Sequence, residues 1–600
     1  MPSIHYSLSL VASAFALGVL ADDTAEFDWS GIQPTKNLVY HPCYGTFQCA
    51  RLEVPLDWHN ASDPRTVSIA IRTLPAVVRH DDPTFGGSIL TNPGGPGGSG
   101  IQFAEDFALP LQRIVDRPGR KHYEIVSFDP RGIGYTTPAA DCFHDPVARS
   151  AWMLEYRGIG GLTGVGHGHL SESAMGYTLA MNDMFARHCR QSEAKYGEIL
   201  SFVNTPSVAR DMVEIIDRID QLHNPTTKNT TQQDLASTAV DEAVINGDGK
   251  VPRLQYIGFS YGTALGNYFA SMFPGRVGRI VVDGVTDADD YANGDPGWLG
   301  NTIDDDEILE RFWKGCFQAG ASICPLANDT NISSASRRFW SWVKSLDEQP
   351  RSLEGPTGDT VVLTGDDVRR SVGDIFDNPI PGFRDIANTL HRAMAGNETD
   401  LFRLAVGRNP LPLFHNGTSS QLQPVDLSSI DQQYSILCGD GKDVTGKPVS
   451  YWMRYAEKQK AMSKLLGSYW VTSRLLCSSW PVRARWLFNG PFKSPKADSR
   501  LLPGIPAAPL LFMSTELDPV TPLRAARKMA KGHPGARVVT QEGMGHCALQ
   551  SSPSNCTRSI LAEYFDTGKV PDRDTFCKAD CGPWDLNCHV QQGLGIPEID

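Results

Sequence analysis

The sequence predicts an α/β fold: a mostly parallel sheet flanked by helices, interrupted by a large helical insertion. Three observations predict it. Short apolar runs alternate with helical patterns through the first half of the chain, as strands and crossover helices do. From about residue 290 to 495 strand signals fade, and helical stretches rich in Trp and Arg replace them. Strand-like runs then return at 509–513 and 537–540.

Taken in order, the chain opens on an apolar run at residues 8–21, where Val19-Leu20-Ala21 precedes Asp22 and Asp23. That is the pattern of a signal peptide over residues 1–21, although the leading segment holds His5 and no Lys or Arg. The run is short for a membrane span, and no later apolar run reaches about 20 residues. A secreted, soluble mature chain is expected. Residues 22–289 carry the first part of the core, with strands at 67–74, 88–91, 125–128, 254–259 and 280–282. Each ends at Gly, Pro, Asn, Asp or Ser, the residues that favour turns. Between them Val208, Met212, Ile215, Ile216, Ile219 and Leu222 make one apolar helix face, with Ser207 as the expected N-cap. The Gly-rich stretch 157–169, with His167 and His169, reads as a surface loop. Residues 290–495 are the helical cap insertion, with helices expected at 337–346 and 451–466. Residues 496–600 return to the core and end in a Cys-rich tail.

Composition narrows the function. The chain has 600 residues, 41% of them hydrophobic, so it exceeds one minimal domain. Its net charge of −13 repels nucleic-acid phosphates and anionic membranes, and neither is an expected partner. Thirteen cysteines suit an oxidising compartment, and the odd count leaves at least one thiol outside intramolecular pairs. Cys43 with Cys49, Cys316 with Cys324, and Cys577, Cys581 and Cys588 lie close enough in sequence to close short loops. Cys577 and Cys581 lack a second pair at zinc-ligand spacing, and no metal is expected. Sequons at Asn60, Asn229, Asn328, Asn331, Asn397, Asn416 and Asn555 fit N-linked glycosylation of a secreted surface.

The chemistry centres on Gly258-Phe259-Ser260-Tyr261-Gly262. A serine hydroxyl is a weak nucleophile until a base takes its proton. A G-x-S-x-G turn between a strand and a helix exposes the serine oxygen, and its glycines leave room for the tight turn. Residues 254–259 read as that strand, and 261–273 as that helix, stopped by Pro274. The second element is the loop Asn92-Pro93-Gly94-Gly95-Pro96-Gly97-Gly98-Ser99-Gly100 after the strand 88–91. Such a loop supplies one N–H to a developing oxyanion, and the residue after the nucleophile, Tyr261, supplies the other. Gly95, Gly97 and Gly100 also match a dinucleotide fingerprint. Pro96 within the turn and the lack of an acidic residue ending a strand about 20 positions on speak against that reading. Downstream, Asp518 and His546 each follow a strand-like run, at the strand ends where α/β sites assemble. Asp518 is assigned to orient the imidazole and His546 to take the serine proton, with Glu516 as the competing acid.

Asn92 to Gly100, Phe128-Asp129-Pro130-Arg131-Gly132-Ile133-Gly134, Gly258 to Thr263, Asp518-Pro519-Val520-Thr521-Pro522 and Gly545-His546-Cys547 occur in this order. Over about residues 40–570 they resemble the tripeptidyl aminopeptidase branch of the prolyl-aminopeptidase-like hydrolases. The resemblance implies an α/β-hydrolase fold with a helical cap between the strand ending near Asp283 and the strand near Leu510. It implies release of short pieces from free peptide N-termini, without cofactor or metal. It makes Gly95 the loop donor to the oxyanion and leaves Asp129-Pro130-Arg131-Gly132 a structural turn. A peptide amine would need a carboxylate partner. Asp287, Asp289, Asp290 and the run Asp304-Asp305-Asp306-Glu307 are placed to supply one, or to stabilise solvated helix starts. The same nucleophile and oxyanion serve an esterase, a lactonase or a small-molecule amidase, including one in a biosynthetic pathway.

Overall fold

The computed structural model describes residues 27–158, 170–224, 251–406 apart from 296, 356, 357 and 359, and 428–588. The expected signal peptide, His167 and His169, and the sequons at Asn229 and Asn416 lie outside the described residues.

The chain enters through β1 (His41–Cys43), β2 (Phe47–Pro55) and β3 (Thr66–Leu74). It continues through β4 (Phe85–Asn92), β5 (His122–Phe128), β6 (Leu254–Phe259) and β7 (Val277–Asp283). A long insertion carries the hairpin β8 (Arg351–Glu354) and β9 (Thr360–Leu363). The chain then completes the sheet with β10 (Leu511–Leu517), β11 (Arg537–Met544) and β12 (Thr575–Cys577). Ten strands form one sheet in the order β1-β2-β3-β5-β4-β6-β7-β10-β11-β12. The pairs from β1 through β3 to β5 are antiparallel, and all later pairs are parallel. Ile89, Leu90, Ile257, Ile280, Val281 and Val282 are completely buried. Helices cover both faces of those central strands, which is why they read as continuous apolar runs.

Strand order positions the site. The helix Gly100–Val115 carries the chain from β4 outward to β5, and β6 then returns to the other side of β4. At such a reversal the loops leaving neighbouring strands part and open a crevice. Here those are the loops after β4 and β6, which carry the Gly-rich segment and Ser260.

The seven expected core strands are present, β6 with the bounds of its apolar run and the other six longer than theirs. Edge strands β1 and β12, the neighbouring β2 and the β8–β9 hairpin had no clear sequence signal. Alternation is weak in three-residue strands, and the hairpin exposes most of its side chains. The helix expected from Ser207 is Thr205–His223, and its N-cap is Asn204. Pro206 sets the helical φ one turn earlier than expected, and the Ser207 hydroxyl instead donates to Asn204 Oδ1 at 2.9 Å.

The stretch between β7 and β10 packs as two bodies of side chains. One has its own core, with Ile308, Phe312, Phe339, Val343, Phe383 and Leu390 buried. The other, with Tyr434, Trp452, Tyr455 and Trp480, joins the core beneath the sheet. Trp480 there meets Phe185 of the helix Glu172–Tyr196, which lies between β5 and β6.

Six disulfides join Cys43–Cys49, Cys142–Cys189, Cys316–Cys324, Cys438–Cys477, Cys556–Cys577 and Cys581–Cys588. Cys547 is free and buried. The Cys581–Cys588 loop presents Trp584 to Phe312 and Phe383 of the insertion, at ring distances of 5.5 and 5.9 Å. The tail thereby joins core to insertion. Among the described residues no helix is long and apolar enough to cross a membrane.

Candidate active site

Ser260 stands between β6 and the helix Tyr261–Met272, with φ +53° and ψ −124°. A non-glycine residue at positive φ is strained and persists only where its surroundings hold it. Four contacts hold this one. Its N–H donates to the Asp283 carbonyl at 3.1 Å, and its carbonyl accepts from Thr263 N at 2.9 Å, Thr263 Oγ1 at 2.5 Å and Thr286 Oγ1 at 3.1 Å. The flanking glycines are steric requirements. A Cβ on Gly262 would lie 2.7 Å from the Asn92 carbonyl, and one on Gly258 would strike the Gly262 carbonyl.

The Gly-rich loop lies directly against this turn. A Cβ on Gly94 would sit 2.7 Å from Ser260 Cβ and 3.0 Å from Tyr261 N, so the backbone there approaches the serine as closely as a chain can. Gly94 itself has φ +100°, and its N–H is taken by Asn92 Oδ1 at 2.9 Å. No acceptor holds the Gly95 N–H among the described residues. The far end of the loop is fixed by Asp129, which accepts from Ser99 Oγ at 2.6 Å and Ile101 N at 3.1 Å. Arg131 of the same turn forms a fully buried pair with Asp211 at 2.6 Å. The turn Asp129 to Gly132 is thus an anchor for the loop.

Asp518 follows β10 and His546 follows β11. His546 Nδ1 lies 2.9 and 3.1 Å from the two Asp518 carboxylate oxygens. Asp518 is completely buried and also accepts from Val520 N, Thr521 N, Thr521 Oγ1 and Cys547 N at 2.7–3.1 Å. Burial pushes this carboxyl up, but His546 and those donors outweigh it and hold Asp518 below its ordinary value. Burial disfavours the imidazolium of His546, yet the adjacent Asp518 raises its pKa well above the ordinary value. The pair therefore favours the charged imidazole that forms when a base takes a proton. Glu516, the competing acid, points elsewhere. It accepts from Gly543 N at 3.0 Å and lies 3.5 Å from Arg311.

The insertion touches this pair directly. The Asp377 carbonyl accepts from His546 N at 3.0 Å, and Asp304 Oδ2 accepts from Asp518 N at 3.3 Å. Of the other acidic residues near the start of the insertion, Asp287 and Asp289 bind Lys528. Asp290 accepts from Trp298 N, Asp306 accepts from Lys464 N, and Glu307 pairs with Arg311. Asp305 is completely buried beside Asp304, and burial pushes its carboxyl well up.

Sequence reasoning passed over Asp283, Asp377, Gly94 and Thr521. Asp283 and Gly94 carried a signal, since both sit at the carboxyl end of a strand or just beyond one. Asp377 acts through its carbonyl, which no residue type announces. Among the described residues no group of three or more His, Cys, Asp or Glu could hold a metal.

The chain is similar to known hydrolases over most of its length. Residues 463–577 match the family described as TAP-like protein. The chain is 23% identical to a tripeptidyl aminopeptidase of Streptomyces lividans over 548 residues, 89% of this chain and 84% of that protein. It is 26% identical to serine protease Hip1 of Mycobacterium tuberculosis over 565 residues, 92% of this chain and 90% of that one. A carboxylesterase B of Mycobacterium tuberculosis is 34% identical over 100 residues, 17% of this chain and 18% of that one. The chain is a serine hydrolase with an α/β-hydrolase fold, and its resemblance is to the tripeptidyl aminopeptidase, TAP-like branch of that superfamily.

Proposed function

We propose that this serine hydrolase is a secreted aminopeptidase that releases short peptides or single residues from free N-termini. Ser260 Oγ attacks the scissile carbonyl carbon while His546 Nε2 takes its proton, and Asp518 fixes the imidazole with its proton on Nδ1. The N–H groups of Gly95 and Tyr261 receive the oxyanion. As the C–N bond breaks, His546 returns the proton to the leaving amine. Water then hydrolyses the acyl-enzyme by the same base. The observation that carries this reading is the buried Asp518–His546 pair at 2.9 Å in a fold whose Gly94 loop lies against Ser260.

Two observations favour a peptide with a free amine. Relatives similar over most of the chain include one named as an aminopeptidase and one named as a protease. Asp304 brings a carboxyl group to the Asp518 end of the site, where an ammonium group would be held. Six disulfides support secretion. The sequon asparagines Asn60, Asn328, Asn331, Asn397 and Asn555 are all exposed, which suits N-linked glycans.

The test is a panel of free and N-acetylated peptide anilides run beside aryl esters on the glycosylated protein. Turnover of the free peptides, with the acetylated ones at least tenfold slower, is expected. Equal turnover of blocked and free peptides sinks the aminopeptidase reading. Activity on esters alone favours an esterase, the reading to which the short carboxylesterase match points.

A further inference from the structure

Two of the five described non-glycine residues at positive φ are Ser260 and Cys547, at +53° and +66°. One carries the proposed nucleophile, and the other follows the proposed base. Both lean on the same residue, Asp283, at the end of β7. Its carbonyl accepts from Ser260 N at 3.1 Å and from Cys547 Sγ at 3.3 Å. Its carboxylate accepts from Ala548 N at 2.7 Å and Leu549 N at 2.9 Å, the first two amides after Cys547. The side chain is completely buried. Phe259 pairs with Asp283 across β6–β7, and Met513 pairs with it across β7–β10. The residue therefore stands between the strand leading to Ser260 and the strand leading to Asp518. The next residue, Gly284, leaves no room for a Cβ against Cys547 Sγ.

We propose that Asp283 is a positioning residue that holds the turn bearing Ser260 and the loop bearing His546 in fixed register. Main-chain pairing alone would set Ser260, whereas β10 holds the His546 loop only at Gly545, through Leu517 O at 3.0 Å and Thr515 Oγ1 at 2.8 Å, and the chain turns there at φ +127°. The two oxygens of Asp283 hold the loop beyond that point by capping two of its successive amides. Each strained backbone is thus held by a group that also holds the other, and the distance between nucleophile and base follows. The proposal rests on Ser260 and His546 being the reacting pair.

The carboxylate form is needed, because protonation would turn one acceptor into a donor facing an amide N–H. Burial pushes this carboxyl up to about 6. Nearby Asp518 raises it further, and His546 lowers it. Cys547 is the other titratable group against it, and burial pushes that thiol up to about 12.

The test compares wild type with Asp283→Asn and Asp283→Ser, each normalised to Ser260 labelled by a fluorophosphonate. Asn and Ser can each accept from only one of the two amides. The expected result is a kcat lower by about 10- to 100-fold with KM within about twofold, the size of loss that a misplacement near 1 Å produces. Below about pH 6 the wild-type log kcat should steepen toward a slope of two, while Asp283→Asn keeps a slope of one. A kcat per labelled site within twofold of wild type in both variants overturns the proposal. So does a change confined to KM, or failure of both variants to fold, which would make the residue a stability element. Full turnover by Ser260→Ala would instead overturn the underlying assignment of the nucleophile, whatever Asp283 does.

Discussion

Replacing Asp518 by Asn changes one atom of a completely buried group, and the surrounding donors dictate the outcome. Oδ1 accepts from Val520 N at 2.9 Å and Thr521 N at 2.7 Å, and Oδ2 accepts from Cys547 N at 3.1 Å. Asn has only one oxygen. Oδ2 also takes the Thr521 hydroxyl at 3.0 Å, but a hydroxyl can turn to accept from an NH₂ whereas an amide N–H cannot. The oxygen therefore stays toward Val520 N and Thr521 N, and the NH₂ takes the Oδ2 place, 3.1 Å from His546 Nδ1 and facing Cys547 N. An NH₂ there donates to Nδ1, which moves the imidazole proton to Nε2. The nitrogen that should receive the serine proton is then already protonated. A wrong tautomer of this kind costs about 10⁴ in kcat, which is about 5 kcal/mol of transition-state stabilisation at 1.36 kcal/mol per decade. The stranded Cys547 N–H costs a further ~1–3 kcal/mol of stability. The assay is kcat on a free peptide anilide per fluorophosphonate-labelled site, with KM and melting temperature measured in parallel. A loss smaller than tenfold, or a larger loss in Glu516→Gln, would refute the assignment of Asp518.

Two further outcomes are expected. Gly94→Ala should lower kcat about 10²-fold or more with KM little changed, because its Cβ would enter the space beside Ser260 Cβ and Tyr261 N, where the loss of one oxyanion donor has that cost. Gly119→Ala is the control: φ there is +73° with open space around it, so it should lower the melting temperature and leave kcat alone. The protein should also melt at a higher temperature at pH 5 than at pH 7.5. Burial is the main cause that pushes Asp129, Asp283, Asp304, Asp431 and Asp440 each up to about 6 from an ordinary 3.8, and Glu193 up to about 7 from 4.5. Between those values the folded chain holds protons that the unfolded chain has released, so stability falls as pH rises through the window. His533, which burial lowers to about 4, acts in the opposite sense from pH 4 to 6.5. Burial also lowers His188 and His223, so three imidazoles oppose the six carboxyls. A melting temperature that rises from pH 5 to pH 7.5 would contradict this balance.

What could be read in the sequence was what local physics writes there. Strands β3 to β7, β10 and β11 are buried on both faces or nearly so, and burial demands apolar runs whatever lies beside them. β1 and β12 lie at the edges of the sheet with three residues each, too short for any pattern. Ser260 was legible because its strained turn admits only glycine at 258 and 262, and a steric requirement leaves a motif. Asp518 and His546 were legible by chain order and by the strand before each.

The sequence by itself determined the nucleophile turn, the Gly-rich loop and the α/β alternation, because each depends on neighbours within a few residues. Only the tertiary structure put Asp518, and not Glu516, against the His546 imidazole. The two lie two residues apart, and what separates them is the direction each side chain leaves the end of β10. Only the tertiary structure showed that the stretch between β7 and β10 is two bodies, one sharing the core beneath the sheet, because apolar residues do not record which partner buries them. Asp283 shows the same limit most clearly. In the sequence it is one aspartate ending one strand. Its four acceptor contacts reach residues 23 positions back and more than 260 positions ahead, and no local pattern can encode a contact of that range.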